Sequence, residues 1–327
     1  MSFYNNKKVL VTGGTGMIGR PLINMLLNKD AKVRIAALDK PVDLPQEFEF
    51  KYTDLRNYEN CRKVCKGIDI VFNLIGVKGS PKTTVNYPAS YFVPTLQFNT
   101  NMMEAARMEK VERYLYTSTI GIYASSLLFR EDDVWKTMPS KNDWFTGWSK
   151  RMGELQAEAY KIEYGWDKIS IVRPANVYGP HDYFDLNSAM VIPSLIRKIV
   201  DGNKKVNVWG DGTPVRDFIH ARDVAEGMLL MCEKGINIPV NLGSGQGCTI
   251  KELVDIILNN CEHKPEIVYD LTGGVGDHTR VMDISRAKSF GFNPQISLKE
   301  GIKEVIQWYK ENKNCLEDKY NIYNKVR

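Results

Sequence analysis

The residues whose type and spacing can do chemistry are three glycines in VTGGTGMIGR, a carboxylate at Asp39 and a lysine at Lys150. Gly13, Gly16 and Gly19 follow a short apolar run and open a helical one. Glycines in that place let the backbone turn tightly and approach a pyrophosphate, which then rests on the amides of the helix N-terminus. The reading is dinucleotide binding. Asp39 stands twenty residues after Gly19, just past the next apolar run, where a carboxylate accepts both ribose hydroxyls of an adenosine. A 2′-phosphate ~4 Å from it would be repelled by roughly 4 kcal/mol per charge at an effective dielectric of about 20. NAD is therefore favoured over NADP, with Lys40 beside it acting in the opposite sense. Lys150 ends DWFTGWSK, ahead of the amphipathic run MGELQAEAYKIEYGW. A lysine on such a helix is ordinarily solvated, so its meaning depends on what the chain builds around it.

The elements that must position these groups alternate through the first half. KVLVT (8–12), KVRIAAL (32–38), IDIVFNL (68–74), ERYLYTS (112–118) and KISIVRP (168–174) read as buried strands. MIGRPLINMLLN, LQFNTNMMEAARM and the run after Lys150 carry helical apolar stripes between them. Strand–helix alternation at this spacing predicts a Rossmann-type doubly wound parallel sheet covered on both faces. After Pro174 the texture changes. PANVYGPHDYFDLNS reads as loop, VIPSLIRKIV as helix and WGDGTPVRDF as turn-rich, with further helices at DVAEGMLLMCEK, near 250–260 and at LKEGIKEVIQWYKEN. The expectation is an NAD-binding domain over 1–174, to which 217–243 returns, and a smaller mixed α/β domain, mainly 175–327, that takes the substrate. Composition is ordinary for a globular chain: 327 residues, 43% hydrophobic, 25% charged, net charge +5. No like-charge block supports nucleic-acid binding, and no apolar stretch is long enough for a membrane span. The six cysteines lack zinc-ligand spacing, so no metal is expected; reduced thiols and a cytoplasmic location are.

Many motifs in order resemble the extended short-chain dehydrogenase/reductases: TGGTGMIG, TDL (53–55), YTSTIGIY (116–123), the xxxSK ending in Lys150, RPANVYGPHD (173–182), WGDGTPVRDFIHARDVA (209–225), NLGSGQ (241–246) and HTRVMDISRAKSFGF (278–292). YPASYF (87–92), PHDYF, NSAMVIPSLIRK and VWGDGTPVRDF are most similar to GDP-fucose synthase and its GDP-sugar relatives. The resemblance implies hydride transfer at C4 of a nucleoside-diphosphate sugar, GDP-linked, by a dehydrogenase or epimerase. It implies cofactor contacts from Gly13, Thr15, Gly16, Met17, Ile18 and Gly19, from Asp39, and from Asp54 and Leu55 beside the adenine. Leu74, Ile75, Gly76, Thr117, Lys150, Pro174 and Val177 would complete the cofactor site. Thr119 would hydrogen-bond the sugar C4 oxygen, and His181 falls where an epimerisation acid stands. Lys78, Asn176, Arg197, Trp209, Arg216 and Arg280 would hold the sugar nucleotide. A homodimer is implied too, built on the helix carrying Lys150 and the one at 96–108, with Met102, Met103, Ala106, Met152, Leu155 and Ala159 as its apolar surface.

One position departs from the pattern. The family reads Y-x-x-x-K, and here the tyrosine position is Thr146. A phenol with an ordinary pKa of about 10 can be tuned toward neutrality by a lysine; an aliphatic hydroxyl is too weak an acid for that. Four accounts stay open: an engineered substitution, another base (Lys150, His181 or a water), slow turnover with a tightly held cofactor, or ligand binding without turnover. The fucose-synthase cysteine is also replaced, by Gly121, which removes support for epimerisation. A keto-sugar reductase or epimerase using NADP is the competing reading.

Overall fold

The computed structural model describes residues 2–44, 47–77, 79, 81–272, 276–316, 320 and 322, and of Pro81, Lys82 and Cys315 the backbone alone. The first half runs β1 (Lys8–Thr12), α1 (Gly19–Leu27), β2 (Lys32–Ala37), β3 (Phe48–Tyr52), α2 (Tyr58–Cys65), β4 (Ile70–Asn73), α3 (Pro81–Asn86), α4 (Pro88–Met108), β5 (Arg113–Thr117), α5 (Trp144–Tyr164) and β6 (Ile169–Pro174). Then come β7 (Asn176–Tyr178), α6 (Val191–Val200), β8 (Lys205–Trp209), β9 (Val215–His220), α7 (Ala221–Glu233), β10 (Val240–Leu242), β11 (Gly247–Thr249), α8 (Ile250–Asn259), β12 (Glu266–Asp270), β13 (Thr279–Arg280), α9 (Ser285–Ser289) and α10 (Leu298–Asn312).

Seven parallel strands form the main sheet, in the order β10-β6-β5-β4-β1-β2-β3. The order reverses between β1 and β4, the crevice where a doubly wound sheet binds its ligand at the strands' carboxyl ends. Central strands such as β4 and β6 are buried along their whole length, because helices cover both faces. One face packs Leu22, Ile23 and Leu26 of α1 with Val224, Met228 and Met231 of α7. The other packs Cys61 and Val64 of α2 with Phe98, Met102, Met103 and Ala106 of α4 and Ala157 of α5. Met102, Met103 and Ala106 thus have no exposed surface and cannot belong to a dimer face, since the apolar stripe of α4 is consumed by its own sheet. The outward stripe is on α5, where Met152, Leu155, Ala159 and Ile162 are exposed or half-buried.

The second half has its own core, in which α6, α8 and α10 pack over β8 and β9. Here β9 pairs with β7, β11 and β13, and β8 pairs with β12. Thr249 and Ser297 begin α8 and α10 with full capping boxes, closed by Glu252 and Glu300. WGDGTPVRDF, read as turn, is the end of one strand, a tight turn and the start of another. Among the described residues no helix is long and apolar enough to cross a membrane.

Candidate active site

The glycine turn is built by exclusion. Gly13 takes φ +64°, and a Cβ on it would lie 3.3 Å from the backbone of Leu74 and Ile75. A Cβ on Gly19 would reach within 2.5 Å of the Gly14 backbone, so α1 can begin this close to β1 only without side chains. Leu74 and Ile75 are fixed there by Thr12, whose hydroxyl donates to Asn73 Oδ1 (2.7 Å) and accepts from the Leu74 and Ile75 amides (3.1 and 3.2 Å). Ile18 supplies no side-chain cap to α1 and its first turn holds no carboxylate, leaving an amide-lined cradle suited to an anion. Thr15 is buried and its carbonyl is held by Arg20 Nε at 2.9 Å. Gly16 and Met17 are half-buried and Gly76 is exposed. Lys78 lies outside the described residues.

At the adenosine end, Asp39 is half-buried two residues past β2 and accepts the Tyr320 amide at 2.5 Å. Asp54 forms a fork with Arg56, whose Nε lies 2.9 and 3.0 Å from its two oxygens, and Leu55 beside it is fully buried.

Lys150 is not on the solvated face. It is 6% exposed, and its Nζ donates to the Thr117 carbonyl at 2.8 Å. Burial pushes the ammonium down to about 8, against a smaller opposing pull from Glu154. Its helix is held by buried ion chemistry. Arg173 makes a two-pronged pair with Glu154 (2.6 and 3.0 Å), and Arg151 donates to the Ile122 carbonyl from both Nε and Nη2. Glycines set its distance from the sheet: a Cβ on Gly153 would fall 2.3 Å from the Tyr116 ring, and one on Gly147 2.6 Å from the Gly121 carbonyl. The Gly147–Gly121 contact brings Thr146 alongside the turn that follows Thr119. Thr119 caps that 3-10 turn, its oxygen accepting from the Gly121 amide at 3.3 Å, which leaves the hydroxyl proton to donate. Among the described residues Thr117 Oγ1 and Ser118 Oγ are buried and meet no hydrogen-bond partner, an unmet polar demand that a cofactor ribose or carboxamide would answer. With the cradle, these atoms fit a nicotinamide dinucleotide.

Arg216 and Arg280 sit opposite each other in the register of β9 and β13. Desolvation, reinforced by the neighbouring Arg280 charge, pushes Arg216 down to about 10. Arg280 is paired with Asp143 at 2.7 Å. Two adjacent guanidiniums, one of them poorly hydrated, are groups of the kind that pair with phosphate oxygens. Asn176 Nδ2 donates to the Asp217 carbonyl at 2.8 Å, Val177 is half-buried on β7, and Pro174, which ends β6, is buried. Trp209 ends β8 at 56% exposure, a ring available for stacking. Arg197 donates to the Phe184 carbonyl (2.8 Å) and reaches Asp201 (3.6 Å), bracing the loop before α6. His181 adopts φ +61° and is half-buried, with its ring 4.7 Å from Trp308 of α10 at the edge of the second-half core. The structure therefore gathers Thr117, Thr119, Thr146 and Lys150 at one place and Arg216 with Arg280 at another. Asp143, which connects the two, escaped the sequence reading; its one signal there was a position one helical turn ahead of Thr146. Among the described residues no group of three or more His, Cys, Asp or Glu could hold a metal.

Comparison with known proteins agrees with this architecture. The chain is 28% identical over 313 residues to GDP-L-fucose synthase 1 of Arabidopsis thaliana, covering 93% of this chain and 94% of that one. An epimerase from Methanothermobacter thermautotrophicus superposes with a TM-score of 0.86 at 26% identity, over 96% and 95% of the two chains. UDP-glucose 4-epimerase from Thermotoga maritima, solved with UDP-glucose, gives 0.84 at 26% identity over 93% and 99%. The family model matched, over residues 9–243, is that of the NAD dependent epimerase/dehydratase family, and the chain belongs to that family.

Proposed function

We propose that this protein is an NAD-dependent oxidoreductase acting at C4 of a GDP-linked sugar, with Lys150 as the group that takes the C4 hydroxyl proton. The observation that carries the reading is Lys150 itself: buried, hydrogen-bonded to Thr117 and pushed down to about 8. A lysine so placed is in part a neutral amine near neutral pH, and so can serve as a general base where the phenol is missing. Bound NAD would supply the hydride acceptor at C4. Thr119 donates to the C4 oxygen and fixes the sugar face. Lys150 accepts the proton, directly or through the Thr146 hydroxyl, as the hydride leaves carbon and the C4–O bond becomes a ketone. Asp39 selects NAD over NADP by its charge. The GDP assignment rests on the likeness to GDP-L-fucose synthase 1 and on the VWGDGTPVRDF segment with Trp209 and Arg216. The apolar stripe of Met152, Leu155, Ala159 and Ile162 on α5 supports a homodimer through that helix.

The test is mass spectrometry of nucleotides that copurify, followed by GDP-hexoses and GDP-heptoses offered with NAD and with NADP. Reduced-cofactor absorbance and NMR at C4 are read together. NAD-linked oxidation at C4 is expected. Turnover only with NADP would favour the keto-sugar reductase reading, and tight binding of both ligands without turnover would leave a sugar-nucleotide binder, the reading that Thr146 favours.

A further inference from the structure

We infer that Asp143 is a sugar-binding residue, its carboxylate accepting hydrogen bonds from the ring hydroxyls between the reacting C4 and the anomeric phosphate. The inference rests on the nucleotide-sugar reading above and names which part of the sugar is recognised. Asp143 holds the N-cap position of α5, where an aspartate ordinarily accepts from the helix's own first amides. Here it makes no cap bond. The carboxylate is turned out of the helix to Arg280, 2.7 Å from Oδ2. The side chain packs against Gly121: its Cβ, Cγ and Oδ1 would each stand 3.4 Å from a Cβ on that glycine. Gly121 in turn gives its amide to Thr119 Oγ1 at 3.3 Å, and Arg280 is register-paired with Arg216. The groups thus run in order: the Thr119 hydroxyl, Gly121, Asp143, Arg280, Arg216.

A pyranose linked to a diphosphate follows the same order. C4 and the anomeric carbon lie at opposite ends of the ring, and the C2 and C3 hydroxyls line one edge between them. With Thr119 on O4 and the arginines on the diphosphate, that edge falls over Asp143. An ionised carboxylate is an acceptor-only group able to take two vicinal hydroxyls. Arg280 lies 2.7 Å from Oδ2 as an ion pair, and Oδ1 is the oxygen of the two left to accept from the sugar. The sugar class selected is one with free hydroxyls on that edge rather than a deoxy or acylamino sugar.

Titration calorimetry on the NAD-loaded full chain tests this, with GDP and GDP-mannose as separate probes. Asp143→Asn keeps the shape and loses the charge, so GDP-mannose affinity should fall ten- to a hundredfold while GDP affinity stays within about twofold. Asp143→Ser is the second variant, in case Asp143→Asn does not fold. It keeps a side chain suited to the helix N-cap but removes the carboxylate, and should give the same selective loss. Equal losses for both probes would mean that Asp143 acts only through Arg280, and would overturn the inference. So would wild-type protein that binds GDP-mannose no tighter than GDP, although the nucleotide site would stand. Wild-type protein binding neither probe would refute the nucleotide-sugar reading and this inference with it.

Discussion

Replacing Lys150 with methionine should change how stability depends on pH, and the size follows from its surroundings. Burial holds the ammonium at about 8 against an ordinary 10.5. Below pH 8 the fold must carry a buried charge that the unfolded chain carries in water; that penalty fades as pH rises through 8 and is gone above 10.5. Linkage gives a penalty of about 3.3 kcal/mol at pH 7 and about 0.8 kcal/mol at pH 10. Lys150→Met removes this term, and it also orphans the Thr117 carbonyl, a loss of about 1–3 kcal/mol at either pH. The stability of the variant relative to wild type should therefore fall by about 2.5 kcal/mol between pH 7 and pH 10, whatever the packing change. Urea titrations of cofactor-free protein at the two pH values measure it, with the slopes checked for equality. Other titrating groups cancel between the two proteins. Parallel pH profiles would show that Lys150 is not held partly neutral by burial, and the general-base role would lose its footing.

Glu154→Ala strips the partner from Arg173, both side chains being at most 2% exposed, and should destabilise by about 3–5 kcal/mol in the same urea assay. Leu155→Glu puts a charge in the outward stripe of α5. Light scattering should show dimeric wild type and monomeric variant, and a wild type already monomeric at micromolar concentration would refute the α5 contact. Wild type should bind NAD at least tenfold tighter than NADP by calorimetry, and Asp39→Ser should erase most of that gap. Equal affinities in wild type would remove Asp39 from the adenosine site.

Much of the first half was legible because its signals are local. A glycine spacing enforced by backbone contact, and strands buried on both faces, leave marks that need no tertiary knowledge. β3 was missed since it is an edge strand: FEFKY alternates half-buried with exposed residues and carries Glu49 and Lys51. α4 begins at Pro88 rather than near 96, because a proline at the first turn is tolerated there and Pro94 inside the helix hides its continuity. β8 and β9 were masked by the Gly210–Pro214 turn between them. Met102, Met103 and Ala106 were placed on a dimer face because a helical stripe shows that a face is buried, not against what. Asp143 was invisible for a similar reason: its partners Arg280 and Gly121 are brought to it only by the fold.

α5 leaves little room for neutral drift. Gly147 and Gly153 cannot gain even a methyl group without meeting Pro139, Gly121 or Tyr116. Lys150, Arg151 and Glu154 are buried charges, each with a named partner. The outer positions Met152, Leu155, Ala159 and Ile162 are constrained instead by solubility and by whatever partner surface they meet. What remains is a handful of exposed places such as Glu158 and Lys161. A randomised library over this helix should return few survivors outside those places.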